Sequence, residues 1–284
     1  MLYNIFDLDD IVYCSENNMT FIYNDKKYVL RKNAMINESL FSYNYPTFFH
    51  KIISNKFNSI YTIYNNNLYI LFQVHDFRSN TVSLYNVINM SIPIFTYNAD
   101  KINYSQLWLR KNQYLENYFD SKYRFSDLNY DYYLGMAEMS LIFSKNVNFD
   151  NLTYGYCVKK NNCFACFETL YDPSNVKNGP IVYNISEFIK YDFFVNGNSY
   201  VDFNSIFNLK LNANDYMFLG CRLLYPNFYF DLFINNDNDL RLKTLSIDSK
   251  VDKYILLLKS IFAEIKKRHI IDMSLMDYII NLLW

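Results

Sequence analysis

The chain has 284 residues, 51% of them hydrophobic, so it is long enough to bury one large core or two lobes and too apolar to stay disordered. Its 27 basic side chains are offset by 28 acidic ones, giving a net charge of −1 with no long run of either sign. A nucleic-acid binder needs a basic stripe to meet phosphates, and none is written here. No stretch approaches the roughly 18 uninterrupted apolar residues of a membrane span, and residues 1–14 carry no basic region of the export type. The expectation is a cytoplasmic chain with no nucleic-acid and no membrane partner, and an unknown protein as its remaining class of partner. The 29 Tyr and 25 Phe, with abundant Asn, Ile and Lys, share A- and T-rich codons, so nucleotide composition accounts for the aromatic excess without a stacking surface.

The first hundred residues read as strands. Thr20–Tyr23 and 27–30 flank a turn at Asn24-Asp25-Lys26, and 60–64 and 68–74 flank Asn65-Asn66-Asn67; both are hairpin patterns. Residues 39–55 between them have room for one helix, which Pro46 interrupts. His75 falls where the strand pattern ends and reads as a satisfied polar residue. Beyond residue 100 the apolar period becomes helical. Tyr104, Leu107, Trp108, Leu115, Tyr118 and Phe119 mark one face, and Tyr130, Leu134, Ala137 and Leu141 another, behind a cap at Asp127 or Asn129. Val251, Tyr254, Ile255, Leu258, Ile261, Phe262 and Ile265 mark a third, ending in Lys266, Lys267 and Arg268, where cations suit a helix C-terminus. Ser274 to Asp277 reads as a capping box opening a last helix.

Five cysteines stand at positions 14, 157, 163, 166 and 221. An odd number without an export signal points to reduced thiols. Cys163 and Cys166 form a C-x-x-C, but no second pair exists and His50, His75 and His269 are distant. The segment 163–167 therefore reads as a buried strand, part of a short strand pair over 155–171. Strands followed by a long helical part give an α+β fold, with a β-rich N-terminal lobe over 1–76 and a helical C-terminal lobe over 77–284.

That order is the layout of protein-kinase-like folds, and three segments carry a narrower likeness. They are Tyr132 to Glu138, Leu170-Tyr171-Asp172-Pro173 with Tyr183 to Ile189, and Arg222 to Pro226 with Phe228 to Asp231. They resemble the aminoglycoside phosphotransferase and choline kinase superfamily, in particular its spore-coat-associated branch of the CotS and YutH type in Firmicutes. The resemblance implies a two-lobed fold and a catalytic loop of the form H-G-D-x-x-x-x-N, whose Asp takes the substrate proton and whose Asn helps hold magnesium. Here the best-placed match runs from Tyr154 to Asn161. Gly155 and Asn161 keep the pattern, Tyr154 stands for the His, and Tyr156 stands for the catalytic Asp. A phenol with a pKa near 10 is a poor base at neutral pH. On the same resemblance Asp172 and Asn161 would hold Mg2+. Arg31 or Lys32, with Glu38 as partner, would hold ATP, and Asn184 would cap the following helix. No glycine precedes Gly135, so the phosphate-cradling loop is missing.

The expectation is a catalytically degenerate pseudokinase with a spore-formation or scaffolding role, binding ATP and Mg2+ weakly if at all. Two alternatives stand beside it. One is an active small-molecule phosphotransferase using another base, Asp192 or Asp202; the other is an unrelated viral or mobile-element interaction protein.

Overall fold

In the computed structural model the described residues are 20–41, 45–75, 81–91, 102–122, 129–234, 239–267 and 281. Compactness does not divide the chain by a single cut at 76/77. Residues of 1–83 together with 156–178 form one unit, and residues of 84–155 with 179–284 form the other.

The first unit is built on an antiparallel sheet of β1 (Thr20–Tyr23), β2 (Lys26–Lys32), β3 (Lys51–Ile53), β4 (Thr62–Tyr64) and β5 (Asn67–Gln73). β5 lies at its centre, with β2 along one edge and both β4 and β3 along the other. Asn24, Asp25, Asn65 and Asn66 all have positive φ. Two consecutive left-handed residues make the tight turn whose twist matches a hairpin, and Asn and Asp tolerate that conformation best among side-chain-bearing residues. Both expected hairpins therefore form, with two-residue loops. The pleat places Tyr28, Leu30, Tyr69 and Leu71 on one face and Ile70 and Phe72 on the other, each face with its own core cluster. Ile70, Leu71 and Phe72 are fully buried, each contributing about 1.5–3 kcal/mol.

The helix expected over 39–55 is only one turn long, α1 (Glu38–Phe41). The chain then turns at Pro46 and enters β3, whose pairing with β5 outweighs local helical preference. The segment 163–167 is also not a strand. Asn161–Ala165 is a 3-10 turn followed by the short α5 (Phe167–Leu170). Thr169 Oγ1 lies 3.0 Å from the carbonyls of both Cys163 and Cys166, bonds that hold the turn. β6 (Tyr154–Val158) instead pairs with β7 (Val176–Pro180), later than the expected partner.

The second unit is helical: α2 (Leu84–Met90), α3 (Tyr104–Lys122), α4 (Tyr130–Ser144), α6 (Val182–Phe194), α7 (Phe203–Phe207), α8 (Ala213–Leu224), α9 (Asn227–Ile234) and α10 (Leu240–Lys267). α8 packs on both α4 and α6. Its N-terminus is closed by a reciprocal Asn212–Asp215 capping box, and Asp215 also takes Thr153 N (2.8 Å) and Thr153 Oγ1 (2.6 Å), pinning the residue before β6. α4 is rotated from its expected face. Tyr130 and Ala137 are buried as expected, but Tyr133, Ser140 and Ser144 join them while Leu134 and Leu141 stay half-exposed. Ser140 Oγ donates to the Cys221 carbonyl (2.8 Å), so a small polar residue occupies the α4–α8 contact. α10 buries Tyr254, Ile255, Leu258, Ile261, Phe262 and Ile265 as the period requires and begins a full three turns before Val251. Asp127, Arg268, His269 and the Ser274–Asp277 cap lie outside the described residues. Among the described residues no helix is long and apolar enough to cross a membrane.

Candidate functional site

In the first unit, pleat parity decides which cations of β2 meet the carboxylates of 156–178. Arg31 pairs across the sheet with Ile70 and Val29 with Phe72, so Lys27, Val29 and Arg31 share one face while Leu30 and Lys32 share the other. Arg31 Nε donates to Asp172 Oδ2 at 2.6 Å, and its Nη2 stands 3.9 Å from Glu168 Oε1. Lys27 Nζ closes the cluster on Glu168 Oε2 at 2.6 Å. Arg31 is thus the residue of the Arg31/Lys32 pair that reaches the acid. Lys32 and Glu38 are both exposed, and no ion pair joins them. The pairing expected for Glu38 is made by Asp172 and Glu168, one helical step apart in sequence.

Asp172 is fully buried. Its Oδ1 accepts from Ser174 N (2.9 Å) and Ser174 Oγ (2.6 Å), capping the 3-10 turn Pro173–Asn175, while Oδ2 takes Arg31. Both oxygens are committed within the protein. Asn161 opens its own 3-10 turn and is half-buried. Among the described residues no three His, Cys, Asp or Glu side chains converge as a metal site. Cys163 is buried, its thiol pushed up by that burial, and Cys166 Sγ lies 3.4 Å from Thr169 Oγ1.

Tyr154, Gly155 and Tyr156 are the first three residues of β6. Tyr156 is 5% exposed. Its hydroxyl donates to the Leu40 carbonyl at 3.2 Å, its ring stacks on Phe41 (5.6 Å, 14°), and it meets Phe48 and Phe49 edge-on. Burial raises its pKa further above the phenol value. His50, also buried, holds the Glu168 carbonyl with Nε2 (3.0 Å); burial lowers its pKa and keeps the ring neutral at pH 7. His75 Nε2 meets the Phe49 carbonyl at 2.6 Å, the satisfied polar role read from the sequence.

Beside the ion-pair cluster lies a hollow of about 480 Å3, walled by Arg31, Lys32, Lys159 and Lys160 with Asn162 and Ser174 between them. Lys159 Nζ is tied to the Ser174 carbonyl at 2.7 Å. Among the described residues no carboxylate lines this hollow. Its basic lining favours anions.

Asn184, assigned by resemblance, and Asp192 and Asp202, the alternative bases, have structural work in the second unit. Asn184 is not a cap: α6 begins at Val182 behind Ile181, and Asn184 sits buried in its first turn, donating to Ser91 Oγ at 2.6 Å. Asp192 accepts from Asn196 and Asn198 at 2.8 Å each, tying the turn after α6. Asp202 caps α7 through Asn204 N and Ser205 N. Lys27 and Glu168 escaped sequence reasoning, since 141 residues separate them; only the parity of Lys27 with Arg31 could have drawn attention to them.

No protein-family model matches the chain, and no curated protein matches it in sequence. In structure it is similar to an aminoglycoside phosphotransferase from Alicyclobacillus acidocaldarius subsp. acidocaldarius DSM 446, with a TM-score of 0.68 over 94% of this chain and 97% of that one, at 12% identity. The α+β arrangement, a small antiparallel sheet followed by a larger helical part, is the kinase-like phosphotransferase fold.

Proposed function

We propose that this chain keeps a phosphotransferase frame from which transfer chemistry has been lost, and that it acts by binding. Tyr156 carries the reading. At the position that the catalytic-loop resemblance assigns to the proton-accepting Asp stands a buried phenol, its hydroxyl engaged by the Leu40 carbonyl and its ring enclosed by Phe41, Phe48 and Phe49. Loss of a general base costs about two to four powers of ten in rate. The residues do not fit a resident Mg2+ either, because Asp172 holds an arginine at 2.6 Å where a metal would need the same oxygen. For ATP, Lys32 lines the basic hollow, but no glycine-rich cradle accompanies it. Neither Asp192 nor Asp202 offers a replacement base, since both are engaged as turn and helix caps.

The spore-coat-associated branch, and with it a scaffolding role towards a protein partner during spore formation, rests on the three resembling segments alone. Deleting the gene and counting heat-resistant spores tests that part separately.

The central test is turnover and binding together. With ATP, Mg2+ and a panel of aminoglycosides and other small hydroxylated acceptors, no phosphate release or transfer is expected. In thermal melts a ligand specific for the folded state at a hundred times its dissociation constant adds about 2.7 kcal/mol, so millimolar ATP registers a dissociation constant in the ten-micromolar range. Magnesium-dependent ATP consumption that co-purifies with the protein and survives Tyr156→Phe would sink the degenerate reading by showing a base elsewhere.

A further inference from the structure

The second unit holds a smaller hollow of about 240 Å3, walled by Trp108, Tyr183 and Tyr225 and reached by Lys190 and Arg222. Its origin lies in an oddity of α6. That helix buries Ile185, Phe188, Ile189 and Phe193 as a core helix should, yet also buries Glu187 and Lys190 on its other side. Charged groups are almost never buried unless paired. Glu187, 0% exposed, is indeed paired, but with two cations: Lys190 Nζ and Arg222 Nη2 each lie 2.7 Å from Oε1, and Asn227 Nδ2 donates to Oε2 at 2.6 Å. At the rim, Lys111 and Asp231 pair at 3.1 Å and cancel. Two buried cations share one buried carboxylate, so one positive charge is left without a counter-charge among these groups.

Lys190 has no donor to spare, being bonded to Glu187, to the Arg222 carbonyl (3.0 Å) and to Asn227 Oδ1. Arg222 has. Its Nε donates to Ser186 Oγ (3.0 Å) and its Nη2 to Glu187, while Nη1 finds no partner among the described residues. Tyr183 packs on the guanidinium at 4.2 Å, fixing the plane of the group from which Nη1 projects. Guanidinium is the side chain best shaped to hold a carboxylate or phosphate.

We propose that this hollow is a binding site for a small oxyanion, a carboxylate or phosphate on a compact organic body, held by Arg222 Nη1 against the aromatic wall of Trp108 and Tyr225. The anion supplies the missing counter-charge, and the wall supplies apolar contact for the body that carries it. Burial lowers Lys190 to about 8, against the opposing pull of the Glu187 carboxylate. The site belongs wholly to the second unit and does not depend on the fate of the catalytic loop, so it stands or falls apart from the degenerate reading.

The test uses the full chain with inorganic phosphate and benzoate as probes against sodium chloride at matched ionic strength. The chain has two tryptophans, so Trp284→Phe leaves Trp108 in the wall as sole reporter. Saturable Trp108 fluorescence changes with a matching rise in melting temperature are expected from at least one probe. A response to benzoate alone assigns a carboxylate, and one to phosphate alone a phosphate head group. Arg222→Lys keeps a cation opposite Glu187 but removes Nη1, and should weaken binding about tenfold. Should that variant fail to fold, Asp231→Asn decides: Asp231 is 44% exposed in its side chain, and removing it frees Lys111, which should tighten binding several-fold. Absence of saturation with both probes would show that the charge cluster only braces α6 against α8, and equal affinity in wild type and Asp231→Asn would place the binding elsewhere on the chain.

Discussion

Arg31→Met is the most direct probe of the site in the first unit. Asp172 has 1% of its side chain exposed and Arg31 31%, with 2.6 Å between Nε and Oδ2. Removing one partner from a fully buried pair costs about 3–5 kcal/mol, because a charge is left in a poor solvent. Here water reaches part of the guanidinium, and Ser174 still gives Asp172 two hydrogen bonds, so we expect about 2–3 kcal/mol. Asp172→Asn keeps an acceptor for Ser174 but turns a donor towards Arg31, and should cost about 1–2 kcal/mol. The double variant should lose about 1 kcal/mol less than the sum, the coupling expected of groups in contact. Neither tryptophan belongs to this unit, so circular dichroism melts and amide exchange in β2 and β5 are the readouts. A cost for Arg31→Met below about 0.5 kcal/mol would refute the argument, since such values mark surface changes. So would a magnesium-dependent rise in the melting temperature of the wild type, which would mean that a metal displaces the arginine.

Tyr156→Phe should cost about 0.5–1.5 kcal/mol for the hydrogen bond to the Leu40 carbonyl. Tyr156→Asp should cost several kcal/mol, about what an unpaired buried carboxylate plus a lost ring entails, and restore no transfer; urea unfolding and a phosphate-release assay check both. Burial alone would raise the Glu187 carboxyl, but the Lys190 and Arg222 cations outweigh it and hold it well below the usual carboxylate range. The folded state therefore binds fewer protons than the unfolded one in acid, so the Glu187 contribution is present above about pH 4.5 and lost as pH falls. Lys190, depressed to about 8 from 10.5, also leaves the folded state with fewer protons between those values, so its contribution to unfolding free energy rises with pH there; Glu187→Gln and Lys190→Met should each flatten the matching limb in a pH series of melts. Prolonged chelation should leave the melting temperature unchanged, since Cys163 and Cys166 are free thiols, one buried and one bonded to Thr169; a drop would reveal a structural metal.

What could be read from the sequence was local or periodic. The hairpins at Asn24-Asp25 and Asn65-Asn66 are turn chemistry written in adjacent residues, and the stripe from Tyr254 to Ile265 is a helix face written in steps of three and four. What could not be read depended on a partner far along the chain. Arg31 and Lys32 are equal candidates until the register against β5 puts Arg31 with Ile70. α4 turns its Ser140 inwards because Cys221 presents a carbonyl there, and hydropathy carries no trace of that bond. The C-x-x-C reads as a strand because Cys163 and Phe164 are apolar and indeed buried, and only the Thr169 hydroxyl shows that they are buried in a turn.

Tyr156 joins the two kinds of information. Its identity alone argued against a general base, but a lone substitution is reversible by one codon change. The structure makes it part of a packed set. Phe41 from the end of α1 stacks on it, Phe49 approaches edge-on at 5.1 Å, and Phe48 and Phe49 themselves touch at 4.6 Å. A carboxylate placed there would be enclosed by aromatic rings, out of reach of water, and would gain no cation in exchange among the described residues. The phenol is thus part of a packed core, while Asp172 pairs with Arg31 and caps Ser174. Placing a carboxylate at this position would need several coordinated replacements around it, each costly to folding. On the proposed reading, that is why Tyr156→Asp should lose stability without gaining activity.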